Sequence, residues 1–236
     1  MIQHLLEIRQ RSIYVLGAFL AFFALFFFFA NDLFYTLVKP LIAALPTDNS
    51  LIATQITSPV FLPISLAADA AILCTAPIAL WQLWRFIAPG LYRDEKQTLG
   101  RVLLLSLVLF VCGILFCFYL ILPFMFQFFA EAVPLGVKMM PDMANALDFI
   151  TRMLLIFGLC FQVPLICLTL VRLQWVNIQQ LQQIRPYIIV AAFTIGMLLT
   201  PPDVLSQLML ALPLCILYET GIVLARVGQA RTSLQI

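Results

Sequence analysis

Charge is scarce in this sequence. Of its 236 residues only 10% are Asp, Glu, Lys or Arg, 64% are hydrophobic, and the mean hydropathy is +1.07. A soluble domain carries about a quarter charged residues, so one ordinary core could not hide this much apolar surface, and a bilayer is the expected solvent. A strong excess of either sign is also lacking. A net charge of +2 gives no electrostatic footprint for a nucleic-acid partner. Histidine is nearly absent. The one His, His4, precedes the first apolar run, so no base reaches a serine at membrane depth, which counts against a Ser/His intramembrane protease. Asp69 lies near one end of its run and Asp203 in a turn, wrong places for the facing pair of an aspartyl protease. There is no glycine-rich phosphate loop and no metal-ligand cluster. The six cysteines all lie inside apolar runs without a C-x-x-C pair, and read as small buried apolar residues. An enzyme is not expected, nor any cofactor. The lack of an internal repeat weighs against an inverted-repeat transporter.

Long apolar runs are abundant. Six of them, at residues 12–30, 64–86, 101–123, 149–171, 187–200 and 204–224, are expected to span the membrane in one integral domain. The first is Phe-rich and has no small-residue cleavage site, so it is not expected to be a cleavable signal peptide. The last two are short. A run of about 14 residues reaches about 21 Å, against a hydrocarbon core of about 30 Å. Ten of the thirteen basic residues fall at the two ends of the chain and in or beside the segments 87–100 and 172–186. The exceptions, Lys39, Lys138 and Arg152, fall in or beside the alternate segments. The positive-inside rule then places both termini in the cytoplasm, with outer loops at 31–63, 131–148 and 201–203. In the first outer loop Asn31 and Asp32 are placed to cap a short amphipathic helix bearing Phe34, Leu37, Leu41 and Leu45.

Few polar residues interrupt this pattern. HLLEIRQR, His4 to Arg11, puts Glu7 beside Arg9 and Arg11 on a short helix expected at the cytoplasmic surface, with Ile2, Leu5 and Leu6 on the membrane. Gln162 stands mid-span just before Pro164, where an amide serves either as glue between helices or in a functional cavity. Asp69 and Glu219 lie toward the ends of their runs, where snorkelling to the interface accounts for them. The densest charge is in WRFIAPGLYRDEKQ, Trp84 to Gln97. Topology explains its Arg and Lys, but not Asp94 and Glu95, because acidic groups do nothing to hold a loop inside. Carboxylates there suit a cationic ligand, above all a guanidinium bound through two parallel hydrogen bonds.

At these residues the sequence closely resembles the TatC family, the polytopic core subunit of the twin-arginine protein translocase. The resemblance runs over residues 4–226 and rests on HLLEIRQR, SPVFLPI, WRFIAPGLYRDEK and, most specifically, RPYIIVAAFTIGMLLTPPDVLSQ from Arg185 to Gln207. It implies an all-α, glove-like concave bundle of six spans in the bacterial inner membrane. It also implies a receptor for signal peptides with paired arginines, exporting folded proteins with the protonmotive force. The arginine pair would be read by Phe86 and Glu95, beside Asp94 and supported by Glu7 and Arg9. Met197, Thr200 and Gln207 match the docking cluster for single-span TatA or TatB partners, and Asp203 matches an acidic residue of the outer turn. Other copies of the chain are further expected partners. Four features depart from the pattern. Gln162 stands where many members carry a glutamate, which puts a proton-linked role there in doubt. Ile8 and Gly90 replace leucine and alanine, Asp69 has no counterpart, and the chain stops soon after the sixth span. The rival reading is a small-solute transporter with Gln162, Asp69 and Glu219 along its path.

Overall fold

In a bilayer every backbone N–H and C=O must find its partner inside the protein, which leaves long apolar segments no option but the helix. The computed structural model describes residues 2–44, 51–87, 96–134, 139–172, 174–199 and 204–233. Six helical stretches in it are long and apolar enough to cross a membrane. Six crossings return the C-terminus to the side on which the chain began, here called the termini side.

The first span, α1 (Ile2–Phe28), is followed by α2 (Ala30–Ala44) on the far side. The expected surface helix at residues 4–11 is therefore not a separate element. Nothing breaks the helical path between Ile2 and Phe28, so the charged turn is the first part of the span itself. In α2, Leu37 and Leu41 are buried, while Asn31 and Asp32 occupy the first helical turn instead of the cap, because α1 leads into α2 across Phe29 alone. The second span is α3 (Ser58–Ile87). The third is compound: α4 (Lys96–Phe116), a π-helical turn at Cys117–Ile121, and α5 (Leu122–Glu131).

The fourth span is broken into α6 (Met143–Cys160) and α7 (Val163–Arg172). Pro164 causes the break, since it offers no N–H to the carbonyl of Cys160. The last two spans are α8 (Ile178–Leu199) and α9 (Val204–Ser233), of 22 and 30 residues. Both helices run beyond their apolar runs, because α8 begins in the amphipathic segment before Arg185 and α9 continues past Glu219. Among the described residues there is no strand.

The main core lies where α2, the third span, α6 and the facing parts of α8 and α9 meet, around Val38, Leu122, Met125, Ile150, Phe157 and Leu210. Two glycines set the distance between α4 and α6. A Cβ on Gly113 would stand 2.6 Å from the carbonyl oxygen of Phe157, and one on Gly158 would stand 2.7 Å from the ring of Phe110. Small residues let backbones approach where dispersion, not water exclusion, drives association. A second cluster, including Cys167, Tyr218 and Ile222, joins α7, α8 and α9. By contrast, no described side chain of α1 is buried.

The far side is pinned by polar contacts. Asp142 caps α6 by accepting from the N–H groups of Ala144 and Asn145, both at 3.0 Å. Its other oxygen accepts from the backbone N–H and hydroxyl of Thr54, at 2.9 and 2.6 Å. These bonds hold the Asp142 carboxyl down to about pKa 2. Beside it Ile52 pairs with Pro141 and Met143, so the loop before α3 is tied to the start of the fourth span.

Candidate functional site

Two places gather the polar residues singled out by sequence. The first is the termini-side end of α1 and α3. Glu7 and Arg11 lie one helical turn apart on α1 and form an ion pair at 2.6 Å. Arg11 Nη1 also donates to the carbonyl and to the side-chain Oε1 of Gln82, at 3.1 and 3.2 Å, and Nη2 donates to the carbonyl of Arg85 at 3.4 Å. Arg9 is exposed. Phe86 is the penultimate residue of α3, with its side chain outside the described residues; Asp94 and Glu95 lie outside them altogether. Below this cluster a cavity of about 710 Å³ opens between α1 and α3, with Arg11 and Gln82 at its termini-side end and Val15, Phe19, Ile72 and Ala76 deeper in.

The second place is the α8–α9 hairpin. Met197 is 68% exposed. Gln207 is half-buried, and its Nε2 donates to the carbonyl of Phe193 at 2.9 Å. Its bulk lies over Gly196, where an added Cβ would approach Gln207 Cγ to 3.1 Å. Gln207 thus uses one amide donor to hold α9 against α8, and Met197 is among the side chains the hairpin presents outward, with Leu198 and Val204. Thr200 and Asp203 lie outside the described residues.

Gln162 is in neither place. It is 2% exposed, at the break between α6 and α7. Its Oε1 accepts from the hydroxyl of Ser106 at 2.7 Å and its Nε2 donates to the carbonyl of Ser106 at 2.9 Å. The Ser106 oxygen accepts in turn from Trp84 Nε1 at 3.1 Å. Three spans are joined by one chain of hydrogen bonds, and the amide uses one donor and one acceptor. Of the two roles left open by sequence, this geometry fits glue.

Asp69 and Glu219 both have partners on neighbouring helices. Asp69 accepts from Thr151 on α6 at 3.1 Å. Glu219 pairs with Arg185 on α8 at 2.7 Å, where Tyr218 also bonds the carbonyl of Leu181. Asp69, Gln162 and Glu219 each bond within a different helix interface. They do not line one path.

Sequence reasoning missed Ser106, Thr151, Gln82 and the scale of the Arg11 contacts. The Glu7–Arg11 spacing of four residues was a usable signal for their pairing. Nothing local marks a mid-span serine as the partner of an amide 56 residues away.

The family described as Sec-independent protein translocase protein (TatC) matches residues 3–213. The chain is 42% identical over 231 residues to a Sec-independent protein translocase protein TatC of Haemophilus influenzae, covering 98% of this chain and 90% of that protein. To the protein of the same name in Escherichia coli K12 it is 39% identical over 236 residues, again covering 98% and 90%. A crystal structure described as the twin arginine translocase receptor TatC superposes with a TM-score of 0.87 at 31% identity, covering 96% of this chain and 99% of that one. A second, described as the same receptor in the detergent DDM, gives 0.85 at 32%, covering 94% and 99%. The chain belongs to the TatC family of Sec-independent protein translocase proteins.

Proposed function

We propose that this translocase subunit is the signal-peptide receptor and scaffold of its complex, reading paired arginines at the termini-side ends of α1 and α3. One observation carries the reading. Glu7 is fixed against the end of α3, at the point where the chain enters the segment bearing Asp94 and Glu95. Glu7 at this face, with Phe86 in the last turn of α3 and Asp94 and Glu95 in the segment that follows, would offer the planar acceptors that a guanidinium fork matches and an ammonium does not. Arg9, exposed two residues along α1 from Glu7, adds a cation to this end of the helix. The distribution of basic residues supports a cytoplasmic setting for this face, where a signal sequence is met before export.

The exposed α8 flank that bears Met197, with Gln207 on α9 and the intervening segment that contains Thr200 and Asp203, is the proposed docking side for single-span TatA or TatB subunits. Other copies of the chain would complete the assembly in the bacterial inner membrane. The protein acts by binding and not by catalysis, with the protonmotive force as the energy source of the complex.

Glu95→Gln tests the receptor assignment, since it preserves shape and removes the charge. A hydrogen bond to a charged group contributes roughly 1.5–3 kcal/mol, so binding of a twin-arginine signal peptide to the purified variant should weaken about tenfold to a hundredfold at fixed salt. Asp94→Asn, its control, should lose less, and a Lys-Lys peptide should bind poorly to the unaltered protein. Equal affinity of Glu95→Gln and unaltered protein would refute recognition at this loop.

A further inference from the structure

Arg11 is engaged within the protein through all three of its guanidinium nitrogens. Nε and Nη2 donate to Oε1 of Glu7, at 3.2 and 2.6 Å. Nη1 holds both the carbonyl and the side-chain oxygen of Gln82, and Nη2 also reaches the carbonyl of Arg85. A guanidinium has five N–H donors in a planar fork, which lets one side chain hold several acceptors at once. The Arg85 carbonyl is among the last four of α3, which have no partner within the helix and carry the negative end of its dipole. One cation therefore fastens a carboxylate on α1 to the end of α3. Both described acceptors of its contacts to Glu7 are the same oxygen. Among the described residues Oε2 of Glu7 accepts no hydrogen bond, and the Glu7 side chain is 42% exposed.

We infer that Arg11 is a positioning residue for arginine recognition: it grips one oxygen of Glu7 and the end of α3 together, and so presents the other oxygen of Glu7 to a peptide guanidinium. The inference rests on the receptor reading. An incoming arginine meets a carboxylate that Arg11 has already half neutralised, so direction decides the affinity more than net charge does. Lysine at position 11 keeps the charge but offers three donors from a single atom. It cannot hold a carboxylate and the carbonyls of Gln82 and Arg85 in one plane. A plain staple between α1 and α3 would act independently of Glu7; a positioning residue acts through it.

That difference is measurable as a double-mutant cycle, using the full-length protein in detergent and a fluorescent synthetic twin-arginine signal peptide at fixed salt. Arg11→Lys and Glu7→Gln should each weaken binding about tenfold, and the double variant should be no weaker than the poorer single one. Arg11→Gln, without the cation, should bind less well than Arg11→Lys. Losses that multiply to about a hundredfold in the double variant would overturn the inference, as would unaltered affinity in Arg11→Lys. Gln82→Met removes one Arg11 acceptor with little change in shape, and serves if Arg11→Lys fails to fold. It should cost roughly two- to threefold, and no loss there also overturns the inference. Normal binding by both Glu7→Gln and Glu95→Gln would remove the receptor reading itself. Weakened binding by those two with multiplying Arg11 losses would remove only the role given to Arg11.

Discussion

Replacing Ser106 with alanine should damage the bundle more than replacing Gln162 with leucine, although the glutamine is larger and stands at the unusual position. Ser106→Ala deletes one oxygen that serves two neighbours, leaving Trp84 Nε1 and Gln162 Oε1 without their bonds in a buried site. Each orphaned group costs about 1–3 kcal/mol, so the sum is about 2–4 kcal/mol once some relaxation is allowed. Gln162→Leu removes two bonds of about 0.6–2 kcal/mol each in lipid, but leaves the Trp84 bond intact. The freed Ser106 hydroxyl can also turn to a carbonyl of its own helix, which brings the cost to about 1–2 kcal/mol. For a protein of this size 1 kcal/mol moves Tm by about 2–4 °C, so Ser106→Ala should melt roughly 5–15 °C lower. The buried thiols Cys117 and Cys167 provide the assay, since a thiol-reactive dye reads them only on unfolding. A local readout accompanies it. With Trp81 and Trp175 changed to Phe, Trp84 emission should shift in Ser106→Ala and stay in place in Gln162→Leu. Gln162→Glu should fold and export normally, because a protonated carboxyl also supplies one donor and one acceptor, whereas a carboxylate cannot donate to the Ser106 carbonyl. A melting order with Gln162→Leu lowest, or no loss in Ser106→Ala, would refute the account of this network.

Asp142 gives the far side a defined pH dependence. Its folded pKa of about 2 lies below the ordinary carboxylate value, so its contribution is fully present above about pH 4 and is lost as pH falls toward 2. Asp142→Ala should lower stability at neutral pH by about 1 kcal/mol, as loss of a helix N-cap does, and should flatten the acid limb of stability between pH 4 and 2; an unchanged acid limb would contradict this. A panel of single cysteines in a cysteine-free background tests orientation and docking together. Thiols at Asn49 and Met140 should label from outside and those at Asp94 and Gln180 from inside, while a crosslinker at Met197 or Gln207 should capture a single-span partner. Labelling of Asp94 from outside, or capture at Met197 of lipid and this chain alone, would count against the corresponding assignment.

Hydropathy made the number of spans legible because the bilayer imposes a length and forbids polar interruptions over it. It left the helix ends illegible. Backbone hydrogen bonding continues for as long as nothing stops it, so α1 begins at Ile2, well before its apolar run, and α8 begins at Ile178. The break in the fourth span could be read from Pro164, but the π-helical turn at Cys117–Ile121 carries no local sign. The site divides in the same way. Glu7 and Arg11 pair at helical spacing and were within reach of the sequence. The Gln82 and Arg85 carbonyls that complete the Arg11 site belong to another span, and only the packing of α1 on α3 brings them near. Met197 was expected at a docking surface, and it lies on the exposed flank. Gln207 from the same motif also holds its own hairpin together, a duty that no spacing rule reveals.

The least buried spans are those to which the proposed functions are assigned. No described side chain of α1 is buried, and α8 turns Tyr187, Met197 and Leu198 outward at 74, 68 and 78% exposure. The rigid centre is elsewhere, at the glycine-mediated crossing of α4 and α6 and the bonds around Ser106. This division has a physical rationale. A scaffold in lipid gains nothing by hiding apolar side chains from water, so a span can stay at the edge of the bundle and keep its face for a partner helix. Its ends are then fixed by polar contacts in addition to its packing on one neighbouring helix. Arg11 does this for α1 against α3. Gln207 and the Arg185–Glu219 pair do it for α8 against α9. Weakening those ties should therefore change what the edges bind before it changes whether the centre folds.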